Sequence, residues 1–125
     1  PKNNYLGLNI QYKEQPEPRG LPDAFLIGEK FIGKDNVALI LGDNIFYFPS
    51  LRNVISQSIN PIGATVFAYH VSNPSRYGVV ELTAENKIIS IEEKPKNPKS
   101  NYAIPGFYFF DNKYGPLGWR LSGCA

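Results

Sequence analysis

Two acidic residues, Asp43 and Glu93, each close an apolar stretch of this chain. Asp43 follows Val37-Ala38-Leu39-Ile40-Leu41-Gly42, and open α/β sheets bind their ligands beyond the carboxyl ends of their strands. An aspartate there can hold magnesium, which takes one or two protein carboxylates and fills its other positions with water and phosphate oxygens. The triplet Gly42-Asp43-Asn44 suits equally well a turn in which the carboxylate accepts from nearby backbone amides. In Lys87 to Lys94, Ile89, Ile91 and Glu93 share one parity, and Ile88, Ser90 and Glu92 the other. Side chains alternate along a strand, so the face that buries Ile89 and Ile91 is expected to receive Glu93 at its end, just before Pro95 stops the pairing. A carboxylate then stands at the rim of the core. Lys94 points the other way if the strand continues, whereas a twist at Pro95 brings its long stem back toward a phosphate. A solvated Glu-Glu-Lys hairpin end accounts for the same residues.

Gln15-Pro16-Glu17-Pro18-Arg19-Gly20 offers a planar amide to a nucleobase edge, with Gly20 allowing close backbone approach. A proline-rich surface turn explains it as well. Arg76-Tyr77-Gly78 combines a guanidinium, a phenol and an unshielded backbone amide, which suits a sugar phosphate and also an ordinary strand start. His70, inside the apolar segment Thr65 to Val71, reads as a hydrogen-bonded structural histidine. The chain has no Ser-His-Asp or Cys-His arrangement, no Walker loop and no Gly-x-Gly-x-x-Gly fingerprint, which argues against hydrolase and dinucleotide-binding chemistry.

Positioning such groups takes a folded domain, and 125 residues with 42% hydrophobic and 19% charged content suit one. A chain of this length buries roughly two thirds of its unfolded surface, enough for one core and not for two. Thirteen Lys and Arg against eleven Asp and Glu are scattered, so electrostatic nucleic-acid binding is not expected. The longest aliphatic run, Val37 to Leu41, falls far short of the roughly 20 residues that cross a bilayer, and Pro1-Lys2-Asn3-Asn4 carries no signal-peptide pattern. No membrane association is expected. Cys124 is the one cysteine, with no partner for an internal disulfide or a cysteine metal cage, and a reducing cytoplasm fits. The chain starts without Met and reads as a piece of a longer protein.

Leu8 to Lys13 alternates strictly and predicts a strand with Leu8, Ile10 and Tyr12 on one face, ending at Pro16, Pro18 and Gly20. Pro22 to Ile32 predicts an amphipathic helix striped by Ala24, Phe25, Ile27, Phe31 and Ile32, with Asp23 in its first turn and Gly33 as its stop. Val37 to Leu41, apolar on both parities, predicts a central strand covered on both faces. Ser50 is placed to cap a helix through Leu51, Val54, Ile55 and Ile59, and Pro61 and Gly63 precede a strand from Thr65 to Val71. This alternation favours a mostly parallel sheet with right-handed crossovers. Tyr77 to Leu82 and Lys87 to Glu93 flank the turn Thr83-Ala84-Glu85-Asn86 and predict an antiparallel pair, and Gly106 to Phe110 predicts a last aromatic strand. The expected architecture is α/β with a mixed sheet.

In this order the segments resemble the bacterial glucose-1-phosphate thymidylyltransferases, sugar nucleotidyltransferases of the dTDP-rhamnose pathway. The likeness runs from about Leu8 to Asn112. It rests on Gln15-Pro16 with Pro18, Gly20 and Leu21; Leu41-Gly42-Asp43-Asn44-Ile45-Phe46-Tyr47; Gly63 to Val71; Arg76-Tyr77-Gly78-Val79-Val80-Glu81; and Glu92-Glu93-Lys94-Pro95-Lys96 leading to Lys99-Ser100-Asn101-Tyr102-Ala103. The resemblance implies a Rossmann-like mixed sheet of the nucleotidyltransferase type, here incomplete, that transfers thymidylyl from dTTP to glucose 1-phosphate and releases pyrophosphate. Carried over by position, Gln15 reads thymine, Gly20 contacts the base through its backbone, and Asp43 holds magnesium, with Asn44 on the substrate side. Tyr77, Gly78, Glu93 and Ile104 line the glucose 1-phosphate pocket, and Lys94 meets its phosphate. Asp43 and Lys94 are the expected catalytic residues.

The resemblance assigns residues 1–112 to the central part of one nucleotidyltransferase domain. Residues 113–125, with Gly115-Pro116 and Trp119, depart from it as an atypical tail, as a frameshifted, truncated or cut end would. The family's N-terminal glycine-rich loop and its second metal carboxylate have no counterpart in these 125 residues, so the chain alone is expected to show little or no transferase activity. Pro22-Asp23 stands where the family usually has Ala-Gln, and Pro105 where it has Thr. The competing expectations are a noncatalytic remnant that binds nucleotide or sugar phosphate, and an interaction module keeping only the fold. A metal-dependent glycosyltransferase would need a second acid beside Asp43. Family members usually form tetramers, so a homo-oligomer is expected at full length.

Overall fold

The structure is a computed structural model that describes residues 6–112, so the expected tail at 113–125 lies outside the described residues. The chain divides into two compact units, one of residues 1–35 with 112–125 and one of residues 36–111.

In the first unit, helix α1 spans Leu21–Ile32, as its apolar spacing predicts. Pro22 sits in the first turn, where its missing N–H leaves no partner wanting, and Asp23 faces the positive end of the dipole. The helix stops at Gly33, whose φ of 59° suits glycine and whose N–H donates to the Glu29 carbonyl at 2.9 Å. Phe25 is buried and Ile27 and Ile32 are half-buried, but Ala24 and Phe31 face solvent, so the stripe is narrower than its periodicity suggests. The strand expected over Leu8 to Lys13 does not form. Alternation names a face but does not by itself bury it: Leu8, Ile10 and Tyr12 remain 49–73% exposed.

The second unit holds two sheets. Strands β1 (Val37–Ile40), β2 (Ala64–Val66) and β7 (Phe107–Phe110) form one, in the order β1-β7-β2. Strands β3 (Tyr69–His70), β4 (Gly78–Leu82), β5 (Ile88–Glu93) and β6 (Tyr102–Ile104) form the other, in the order β3-β6-β4-β5. Helix α2 (Leu51–Ser58) links β1 to β2. Its boundaries agree with the expectation, although Ser50 precedes it without making a side-chain cap bond.

Every strand pairing among the described residues is antiparallel, which corrects the mostly parallel expectation. The cause is β7. It runs antiparallel to both β1 and β2, pairing Phe110 with Val37 on one side and with Ala64 on the other. β1 and β2 therefore point the same way, as a helix crossover requires, but an aromatic strand from later in the chain lies between them. β1 is consequently an edge strand in this sheet, with Ala38 and Ile40 exposed, and not the covered central strand its composition suggests. The single strand expected from Thr65 to Val71 is divided at Phe67 and Ala68 into β2 and β3, which join different sheets.

The core of this unit is aromatic and small-aliphatic. Phe107 and Phe109 are buried, and the Phe107 ring lies 5.1 Å from Phe46, 5.2 Å from Phe67 and 4.9 Å from Phe109. Val79 and Val80, on opposite faces of β4, are both buried, so β4 is covered from both sides. Behind β7, the buried Asp111 accepts the Gly63 N–H at 2.7 Å and donates its own N–H to the Gly63 carbonyl at 2.9 Å. Gly63 has a φ of 76°, a conformation that favours glycine.

Candidate functional site

The β4–β5 hairpin brings Gly78 opposite Glu93, and β6 brings Ile104 opposite Gly78 on the other flank. Cross-strand partners share a face, so Gly78, Glu93 and Ile104 stand together with Val80 beneath them. A Cβ at residue 78 would lie 3.3 Å from Glu93 Oε2 and 3.8 Å from the Ile104 Cβ, so a side chain there would make the carboxylate give way by a few tenths of an ångström. The floor is apolar: Val80 is 1% exposed and Ile104 9%. The parity argument correctly gives Glu93 the face it shares with Ile91, but the burial on that face belongs to Val80 and Ile104. Ile89 and Ile91 are more than half exposed because β5 is the edge of its sheet.

The strand does not continue into Lys94. Its φ of 44° is left-handed, its N–H donates to the Tyr77 carbonyl at 2.9 Å, and its Nζ returns to within 3.7 Å of Glu93 Oε1. A non-glycine residue in this region costs about 1–2 kcal/mol, which the Tyr77 bond and the hairpin closure offset. Both side chains are about two-thirds exposed, so their pairing is weak and yields readily to a ligand. A carboxylate that can accept from hydroxyls, an ammonium that can face a phosphate, a bare backbone and an apolar floor are thus gathered at one strand end. Tyr77, 44% exposed, adjoins them in extended backbone after the 3-10 turn Pro74–Arg76.

Asp43 is exposed at the turn after β1. Its Oδ1 accepts from Asn44 Nδ2 at 2.7 Å, while Asn44 Oδ1 accepts the Gly106 N–H at 3.2 Å. The Leu41 N–H donates to the Gly106 carbonyl at 2.9 Å, and a Cβ at residue 106 would lie 2.6 Å from the Leu41 side chain. Asn44 thus ties the Asp43 turn to the connection between Ile104 in β6 and Phe107 in β7, the same connection that borders the Gly78–Glu93 pair. Among the described residues no three His, Cys, Asp or Glu side chains gather as a metal cluster. His70, read as a structural histidine, is exposed on β3 with its ring edge-on to Tyr102 at 5.7 Å.

Gln15 and Gly20 lie in the first unit and form a group of their own. Gln15 Nε2 donates to Asp23 Oδ2 at 3.0 Å and lies 3.5 Å from the Gly20 carbonyl oxygen, while Arg19 pairs with Asp23 Oδ1 at 3.2 Å. Gly20, at φ 90°, makes the turn into α1. The part played by Asp23 went unread in the sequence beyond its place in the helix dipole; the signal was the Arg19–Asp23 spacing, which sets two opposite charges four residues apart. A second unread group lies on the other face of the hairpin. Lys99 pairs with Glu92 at 3.0 Å and Glu81 at 3.7 Å, Ser90 donates to Glu81 at 2.8 Å, and Ser100 donates to the Val80 carbonyl at 2.5 Å. Its hydrogen bond to Glu92, with the charges of Glu92 and Glu81, raises the Lys99 pKa. These bonds fasten the loop that follows Lys94 to β4 and β5.

The nucleotidyl transferase family profile matches residues 1–116, and the chain belongs to that family. Its similarity is to glucose-1-phosphate thymidylyltransferases: it is 57% identical to the Mycolicibacterium smegmatis protein over 120 residues, 96% of this chain and 42% of that protein. It is 55% identical to the Neisseria meningitidis protein over 121 residues, with the same coverage. A Bacillus anthracis crystal structure named for the same activity and holding sucrose aligns with a TM-score of 0.74 at 40% identity, over 86% of this chain and 43% of that one. The fold is therefore of the nucleotidyltransferase type, and the chain spans about two fifths of the length of the curated relatives it matches.

Proposed function

We propose that this chain is part of a glucose-1-phosphate thymidylyltransferase, which joins the thymidylyl group of dTTP to glucose 1-phosphate and releases pyrophosphate. The observation that carries the reading is the Gly78–Glu93–Ile104 group with Lys94 turned back onto Glu93. A sugar phosphate needs acceptors for its hydroxyls, a cation for its phosphate and an apolar surface for its ring, and this strand end offers all three. In the reaction a phosphate oxygen of glucose 1-phosphate attacks the α-phosphorus of dTTP in line, its P–O bond forms as the bond to pyrophosphate breaks, and no covalent intermediate with the protein is needed. Glu93 holds the sugar, Lys94 neutralises the attacking phosphate, and Gln15 with Gly20 receives thymine.

Asp43 fits magnesium as one of its carboxylate ligands: it is exposed, one oxygen is engaged by Asn44 and the other is left to coordinate. Bound there, the ion would supply neutralisation of phosphate charge. Glucose 1-phosphate, dTTP, a place in dTDP-rhamnose synthesis in the cytoplasm and a homo-oligomeric whole protein are parts of this reading supported by the resemblance. No helix among the described residues is long and apolar enough to cross a membrane.

Calorimetric titration with glucose 1-phosphate tests the site. Glu93→Gln and Lys94→Met are each expected to weaken binding about tenfold or more, the loss of a charge-assisted hydrogen bond; unchanged affinity in both variants would contradict the assignment. Because the chain spans 42% of its relative's length, incubation with dTTP, magnesium and glucose 1-phosphate is expected to give binding without appreciable turnover, and rapid formation of dTDP-glucose would contradict that.

A further inference from the structure

Lys94 is held against its local preference. Its φ of 44° is left-handed, yet Pro95 follows it, and a proline pushes the residue before it toward extended backbone. Such a conformation persists only where the surrounding structure over-determines it. At one end of the loop the Lys94 N–H donates to the Tyr77 carbonyl at 2.9 Å. At the other, Lys99 Nζ lies 3.0 Å from Glu92 Oε1 and 3.7 Å from Glu81 Oε2, and Ser100 Oγ donates to the Val80 carbonyl at 2.5 Å while accepting the Tyr102 N–H at 3.1 Å. Between these anchors runs Pro95-Lys96-Asn97-Pro98, whose two prolines leave little slack.

Relaxed to extended backbone, Lys94 would continue the strand's alternation and carry its side chain to the face of Glu92, away from Glu93. On that face Lys99 already holds Glu92. Resting on the reading of Glu93 and Lys94 as the groups that meet glucose 1-phosphate, we propose that Lys99 is a positioning residue that keeps Lys94 on the Glu93 side of the strand end by occupying Glu92, the acid Lys94 would otherwise join. Lys99 sits on the opposite face from Glu93 and acts through Lys94. With the competing carboxylate taken and the far end of the loop anchored, the Lys94 ammonium stays 3.7 Å from Glu93 Oε1. Glu81 steadies the arrangement, because Ser90 donates at 2.8 Å to the same Oε2 that faces Lys99. Each of these pairs is partly exposed and weak by itself, but a choice between two adjacent acids turns on which one is already engaged.

Calorimetric titration of the 125-residue chain and its variants with glucose 1-phosphate tests this. Lys99→Met is expected to weaken binding about fivefold as Lys94 is drawn to the vacated Glu92, whereas Lys99→Arg, which still pairs with both acids, stays within about twofold of wild type. Adding Glu92→Gln to Lys99→Met removes the competing charge and is expected to restore binding to within about twofold. Adding Glu81→Gln instead restores the same net charge but leaves Glu92 open, and binding is expected to remain weak. Equal recovery in the two double variants marks a bulk charge effect, and recovery in neither marks a merely structural role; each overturns the proposal. Unchanged affinity in Lys99→Met beside a loss in Lys94→Met overturns the proposal and leaves the reading of Lys94 standing. Unchanged affinity in both, or no binding by the wild-type chain, overturns both. The Lys94 backbone reports the same choice without ligand. A positive φ brings a residue's amide and α protons close together, so their nuclear Overhauser effect is expected to be strong in wild type and Lys99→Arg and weaker in Lys99→Met; equal strength in all three contradicts the proposal. The Lys99 side chain is 55% exposed, so Lys99→Met is expected to fold, and Lys99→Ser serves in its place should it not.

Discussion

At Gly78 the absence of a side chain is what leaves the Glu93 carboxylate its position. A methyl group there would come within 3.3 Å of Oε2, the far end of a flexible side chain, and within 3.8 Å of the Ile104 Cβ. Gly78→Ala is therefore expected to move the carboxylate and weaken glucose 1-phosphate binding about tenfold, while the thermal midpoint changes by no more than a few degrees. A calorimetric titration paired with a melting curve checks both; loss of fold with intact affinity in the folded fraction would contradict the argument. Gly106 is the opposite case. The nearest atoms to a Cβ there include the Leu41 Cβ at 2.7 Å, which no rotamer can withdraw, so Gly106→Ala should destabilise by about 1–3 kcal/mol in denaturant unfolding. At this scale much was legible from type and parity. Glu93 does share its face of β5 with Ile91 and the strand ends before Pro95, but the expected burial of Ile89 and Ile91 is not found, and an irregularity of register between Ser90 and Ile88 interrupts the alternation at Ile89. The Arg19–Asp23–Gln15 group was not legible, because which side chain a glutamine amide touches depends on a turn geometry that composition does not state.

The elements show how the loop carrying Lys94 is held. Lys99 joins it to β4 and β5 through Glu92 and Glu81, and these partners raise the Lys99 pKa, its hydrogen bond to Glu92 first. A cation whose folded-state pKa is raised contributes stability that is fully present below its unfolded value and is lost as pH rises through the folded one. Wild type and Lys99→Met should accordingly differ in thermal midpoint at neutral pH and converge only in the alkaline range above 10.5, the ordinary lysine value; a difference that persists unchanged through that range would contradict the assignment. The hairpin of β4 and β5 and helix α1 could be read from local pattern, since turn residues, periodicity and caps are local. The place of β7 could not. Its insertion between β1 and β2 is decided by which strands the aromatic residues Phe107 and Phe109 can cover, a choice made between segments far apart in the chain. The same choice leaves β1 at an edge although its five apolar residues read as central. Leu8 to Lys13 alternates without forming a strand, its Leu8, Ile10 and Tyr12 side chains about half exposed or more.

At the scale of the whole molecule, the residues proposed to face the base and those proposed to face the sugar phosphate fall in different compact units. Gln15 and Gly20 belong to residues 1–35, whereas Asp43, Asn44, Tyr77, Gly78, Glu93, Lys94 and Ile104 belong to residues 36–111. Membership of the nucleotidyl transferase family is settled by the profile match and the relatives' identity, so the open question is whether these residues are the ones that meet the ligand. Nuclear magnetic resonance titration of the uniformly 15N-labelled chain with dTDP-glucose answers it most directly. The account predicts saturable amide shifts concentrated at Gln15 and Gly20 in one unit and at Gly78, Glu93, Lys94 and Ile104 in the other. Shifts confined to other residues, or none up to millimolar ligand, would contradict it.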